Sequence, residues 1–263
     1  MRTLISFVLV LPAIHAFTAS SAPLLRLRGG GCRIPPSEVF TALEDEGARR
    51  SDEGASKLLQ KSVVAGTFVG LGGTLCAGIG GDIGTTPFWA AGMGLSRFAF
   101  GAIGFPLSIT LVAATGSSAF TGNLAMAGAA LRAKKTDLSK AAKMLTITYV
   151  GCFIGTVLMG MLTAFAAIPA AKPCIAIALH KLELTVLQTL LRGVGGGMCI
   201  GLAISMATAA AKNGDGIMDM FAGIWLLIMT YVACDFEHCL ANFYFFAAAI
   251  ATGNSLTPSV PPH

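Results

Sequence analysis

From Phe98 to Leu131 the chain runs for 34 residues without a charge. Few architectures accept such a run. One continuous helix of that length would be about 50 Å long at about 1.5 Å per residue. That exceeds a hydrocarbon core of about 30 Å even with tilt. Two complete spans would need about 40 residues. The middle of the run reads Ala114-Thr115-Gly116-Ser117-Ser118-Ala119-Phe120-Thr121-Gly122-Asn123, which is polar, glycine-bearing and rich in capping residues. The spacing predicts one span interrupted at mid-membrane. Non-helical backbone is tolerated at that depth only where protein or a water-filled path satisfies it. Such breaks therefore mark substrate pathways.

The rest of the chain suits the same solvent. Of 263 residues, 54% are hydrophobic and only 12% charged, against about 25% charged in soluble domains. Lys61 and Asp82 enclose 20 uncharged residues, enough for one span. A short loop with Pro87 leads on to Arg97. Met144 to Ala171 reads as an unbroken span, and Gly193 to Ala211 as another, entered from Leu182 through Arg192. Met220 to Cys234 is apolar, Asp235-Phe236-Glu237-His238 is polar, and Cys239 to Ala251 is apolar again. That is a second broken span, which makes five spans within residues 61–251, followed by a Pro-rich tail at 252–263. Glycines spaced by four (Gly66 and Gly70, Gly151 and Gly155, Gly193, Gly197 and Gly201) allow close helix packing. Arg132, Lys134, Lys135, Lys140 and Lys143 follow the first broken span and place that connection on the cytoplasm-like side.

Residues 1–16 read as a signal peptide: a charged start, a short apolar core and a small residue for cleavage. Residues 17–36 are basic up to Arg33, contain serine and lack acids. They resemble the two-part presequences of algae with secondary plastids, which makes a plastid envelope the expected location, with the plasma membrane as the alternative. Residues 37–60 form a polar arm, either an interfacial amphipathic helix or a flexible segment.

Several classes are excluded or disfavoured. No basic–aromatic surface points to nucleic acid. The seven cysteines are scattered, without a CxxC pair, which argues against zinc and thioredoxin chemistry. They read as small apolar packing residues. The aqueous segments hold no nucleophile–base set and no paired carboxylates. No enzyme, cofactor or metal is expected. The Gly193-Val194-Gly195-Gly196-Gly197 string lies in a membrane run with no preceding strand, so it is not a dinucleotide fingerprint.

Two breaks present two half-helix N-termini, whose free N–H groups and partial positive charge suit an anion. His238 lies in the second break, where an ionisable residue is functional by default. The competing reading is a neutral histidine that locks the break by hydrogen bonds. Lys181 begins the fourth span, and spacing alone favours an interfacial anchor there.

The stretches Thr115 to Asn123 and Phe236-Glu237-His238-Cys239-Leu240-Ala241-Asn242 resemble the two defining motifs of formate/nitrite transporters. His180-Lys181 ahead of a long helix through Arg192-Gly193, and Gly223-Ile224-Trp225 before the second break, are similar too. The match covers about residues 61 to 251, and no Asn-Pro-Ala of the aquaporins occurs. The resemblance implies an all-α membrane protein, an aquaporin-like helical bundle, assembled as a homopentamer with one pathway per protomer. It implies His238 as the central histidine with Thr121 as its partner, and Lys181 as the vestibule lysine. Glu237 and Asn242 would line the pathway, and Phe105, Ile109, Phe120 and Tyr231 would form apolar constrictions.

The implied activity is proton-linked passage of a small monovalent anion, nitrite or formate, through a lipid-embedded protein. The presequence favours nitrite. Three departures stand out. The family has six spans and five are read here. Asp235 replaces a usual small residue, and Gly197 stands where a polar residue is frequent. The missing span keeps open a second reading, a truncated non-conducting subunit of such an oligomer.

Overall fold

The structure, a computed structural model, describes residues 34–80, 95–214 and 216–253. The leader, the loop with Pro87 and the tail lie outside the described residues. Among the described residues there are nine α-helices and no strand. They are α1 (Pro36–Ser51), α2 (Ala55–Gly80), α3 (Leu95–Thr115), α4 (Phe120–Arg132), α5 (Leu138–Phe165), α6 (Ala171–Leu182), α7 (Val186–Asn213), α8 (Ile217–Ala233) and α9 (Cys239–Ala251). By length and composition α2, α5 and α7 each suffice to cross a membrane. The pairs α3–α4 and α8–α9 are the two interrupted spans that the charge gaps predict.

The polar arm is helical over most of its length. Pro36 starts α1, and Asp52 to Gly54 turn the chain into α2. The first span begins at Ala55, ahead of Lys61, because both lysines near its start find a carboxylate: Glu53 lies 3.9 Å from Lys57 and 2.8 Å from Lys61. The face of α1 that carries Val39, Leu43 and Gly47 is buried, and the helix packs on α4. Its acids meet the basic connection after α4: Glu44 and Asp45 pair with Lys135, and Asp52 with Lys140. Helix α1 therefore lies on the positively charged side.

Helix α2 sits between α3 and α5. The contact with α5 is made by glycine. A Cβ on Gly66 would lie 2.4 Å from the Cys152 carbonyl oxygen, and one on Gly155 would lie 2.1 Å from that of Val63. In a lipid solvent, close backbone approach of this kind substitutes for hydrophobic driving force. Helix α3 contains Pro106, which has no N–H to offer the carbonyl of Ala102. Trp225 of α8 donates its Nε1–H to that oxygen at 2.7 Å, so the proline's missing bond becomes a tie between helices. The outward face of α5, with Phe153, Leu158, Leu162 and Phe165, is exposed and apolar, as a lipid-facing helix requires.

Gly155→Val is expected to destabilise the protein by about 1–3 kcal/mol through overpacking. The thermal midpoint in detergent should fall, while Gly54→Val, at a glycine with open space around it, should leave it near that of the wild type.

Candidate functional site

The two breaks meet inside the bundle. In the first break, Gly116, Ser117 and Ser118 find main-chain acceptors at Ala113, Val112 and Lys61. The N-terminus of α4 has no side-chain cap at Ala119. The thiol of Cys152 supplies one bond instead: it accepts the Phe120 N–H at 3.4 Å and donates to the Ser118 carbonyl at 3.7 Å. One of the scattered cysteines thus has a specific polar task that its spacing did not reveal.

In the second break, Asp235 adopts a left-handed backbone with φ 58°. Asp is among the few non-glycine residues that enter this region with ease. The turn rests on α7. The Glu237 N–H donates to the Arg192 carbonyl at 3.1 Å, and a Cβ on Gly196 would sit 2.4 Å from the Glu237 carbonyl oxygen. His238 is the N-cap of α9, and its Nδ1 accepts the Ala241 N–H at 3.3 Å. That bond leaves the ring proton on Nε2, which faces Thr121 Oγ1 at 3.2 Å. Nε2–H donates and the hydroxyl accepts. The arrangement is that of a neutral histidine joining the two half-helices. Both residues are buried.

Charged groups flank this contact on both sides. On one side Lys181 donates to Glu237 Oε1 at 2.8 Å, and Asn242 Nδ2 donates to Glu237 Oε2 at 2.7 Å. Lys181 does not open the fourth span. It lies in the last turn of α6, a separate helix, because Thr185 and Gln188 form a reciprocal capping box that starts α7 afresh at Val186. Asp235, which sequence reading left as a bare negative charge, is paired with Arg192 and lies 3.3 Å from His180.

On the other side stands Arg50 of α1. Its Nη1 donates to Asn123 Oδ1 at 2.8 Å and to the Ser117 carbonyl at 3.3 Å, while Nε donates to Glu46 at 2.6 Å. Asn123 Nδ2 in turn donates to Ser118 Oγ at 2.8 Å. Arg50 lies in a polar arm and gave no sequence signal. Arg192 was missed as well, although a lone cation at the edge of an apolar run was a signal that could have found it.

The constriction residues divide. Phe105 and Tyr231 meet at 6.1 Å between ring centroids, and Tyr231 lies 5.7 Å from the His238 ring. Ile109 is buried in the same core. Phe120 makes its ring contact with Tyr149 at 5.1 Å instead.

Two spans broken at one buried contact, inside an all-helical apolar bundle, are the layout of a membrane transport protein. The sequence model of "Formate/nitrite transporter" matches residues 37–260, and the chain belongs to that family. It is 28% identical over 224 residues to "Uncharacterized transporter YrhG" of Bacillus subtilis, covering 83% of this chain and 80% of that one. It is 29% identical over 216 residues to "Probable formate transporter" of Methanothermobacter thermautotrophicus, covering 75% and 76%. The solved "FNT family ion channel" superposes with a TM-score of 0.72 at 23% identity, covering 83% of this chain and 85% of that one. "Pentameric formate channel with formate bound" gives 0.63 at 22% identity, covering 74% and 75%. These two likenesses establish the fold.

Burial opposes ionisation of Glu46, but hydrogen bonds and charge from Arg49 and Arg50 outweigh it and hold the carboxyl at about 2 rather than 4.5. A depressed carboxyl stabilises above its unfolded value and loses that contribution as pH falls through its folded one. Protection of residues 36–51 from hydrogen exchange should therefore hold at pH 5 and above, and weaken only as the pH falls from 4.5 toward about 2. Arg50→Met should lower that protection by roughly tenfold at neutral pH, the scale of one lost charged hydrogen bond.

Proposed function

We propose that this chain carries small monovalent anions, formate or nitrite, across a membrane as their proton-linked, near-neutral form. The observation that carries the reading is the buried His238–Thr121 contact, with a cation-bearing pair on one side and the Phe105–Tyr231 rings beside it. A bare anion entering an apolar constriction loses its hydration, at a cost of tens of kcal/mol in a low-dielectric limit. Lys181 offsets part of that cost at the mouth. Loss of water favours the protonated form of a weak acid, and formic and nitrous acids are weak acids of the right size.

At the centre His238 donates through Nε2 to Thr121, so the Thr121 hydroxyl hydrogen is left to point at a passing oxygen. Full protonation of the ring would require Nδ1 to give up the Ala241 N–H, and with it the cap of α9. A proton taken up at Nδ1 is therefore held only transiently: the ring passes a proton on to the anion and returns to its neutral, bridging state. Glu237 and Asn242 hold Lys181 in place, and Phe105, Ile109 and Tyr231 exclude water. Phe120 acts at one remove, as a packing residue against Tyr149.

A homopentamer with one path per protomer follows the pentameric formate channel whose fold this chain shares. The acid-free, basic stretch before Ile34 supports a plastid envelope and, with it, nitrite as the cargo.

Formate and nitrite flux should rise as the outside pH falls across roughly pH 8 to 5, because more of the anion then enters with a proton. His238→Ala should flatten or shift that profile. Thr121→Val, which keeps shape and removes the hydroxyl, should lower flux by about tenfold, the scale of one orphaned buried partner. Wild-type flux that does not change across this range would contradict the proton linkage.

A further inference from the structure

Outward from His238, the charged side chains form a ladder of rising exposure. Glu237 is 6% exposed and Lys181 12%, Asp235 28% and Arg192 31%, and His180 51%. The ladder runs from the bundle interior to solvent and describes a mouth. Its outer half is a cluster with no assigned task. Arg192 Nη1 donates to both the main-chain carbonyl and the carboxylate of Asp235. The Arg192 carbonyl accepts the Glu237 N–H, so the main chain at Arg192 is tied to the residue that pairs with Lys181. Asp235 is itself fixed, by its left-handed turn and by His180 at 3.3 Å. The clamp uses only one of the three guanidinium nitrogens: among the described residues, Nε and Nη2 make no hydrogen bond. A planar N–H edge is thus left without a hydrogen-bond partner among the described residues on a partly exposed side chain.

We infer that Arg192 is an anion-binding residue of this mouth, taking a two-oxygen monoanion such as formate or nitrite on its Nε–Nη2 edge before the anion reaches Lys181. The guanidinium fork matches two oxygens on one atom, which a lysine point charge does not. Asp235 orients the fork and cancels part of its charge. The anion is thus recognised by geometry and is not trapped between two unpaired cations. The inference rests on the proposed transport function for its physiological meaning, but not for its test.

The test has two arms on the full chain. In detergent, phenylglyoxal labelling of Arg192 is followed by mass spectrometry. Formate and nitrite should slow it severalfold, and chloride at equal ionic strength should not. In proteoliposomes, Arg192→Gln should raise the formate concentration for half-maximal flux about tenfold, the loss of one charged bidentate contact, with maximal flux little changed. Arg192→Lys, which keeps charge without the fork, should fall between. Protection without wild-type flux would sink the transport reading and leave this inference standing. Flux with Arg192 unprotected, or not reached by phenylglyoxal, would overturn the inference and leave the transport reading intact. An unchanged half-saturation in Arg192→Gln would overturn it too.

Discussion

An interrupted helix in a membrane carries free backbone N–H and C=O groups where no bulk water reaches them, and the architecture is arranged around supplying their partners. Each unsatisfied group at that depth costs several kcal/mol. The first break is satisfied by the Lys61 carbonyl, the Cys152 thiol and the guanidinium of Arg50, drawn from three different helices. The second is satisfied by the Arg192 carbonyl and by the His238 ring capping its own helix. His238 then bonds Thr121 and ties one break to the other. A single side chain therefore closes one backbone break, bridges to the second, and meets the Tyr231 ring.

The same requirement explains which helices touch. Tight glycine contacts bring α2 against α5, so that Lys61 and Cys152 reach the first break. Glycines 195 and 196 let the second break lie flat on α7, where a Cβ would strike the Phe236 ring or the Glu237 carbonyl. The proposed function depends on the same packing, because both breaks rest on these glycine contacts.

Much of this was legible in the sequence. An uncharged run too long for one span and too short for two admits few solutions, and both breaks fall where the polar residues interrupt the apolar ones. Lys181 and Asn242 both bond Glu237 in the second break, and His238 bonds Thr121 in the first. The separate helix α6 was less visible, although Thr185 and Gln188 carry a capping signal between two apolar stretches. Arg50 was illegible, because an arginine in a charged helix looks like any solvated one until the fold carries it to Asn123. The pairing of Asp235 was equally hidden. Sequence shows a negative charge near an anion path, whereas the fold places Arg192 beside it, 43 residues away in the chain. Long-range charge pairing leaves no periodicity to read.

The central proposal is that anions pass along the Lys181–His238 line. Nitrite and formate uptake into proteoliposomes bearing the wild-type chain, compared with Lys181→Ala, tests this most directly. Uptake should saturate in the wild type and be strongly reduced in Lys181→Ala. Equal uptake in both, or none by a correctly assembled wild-type oligomer, would contradict it.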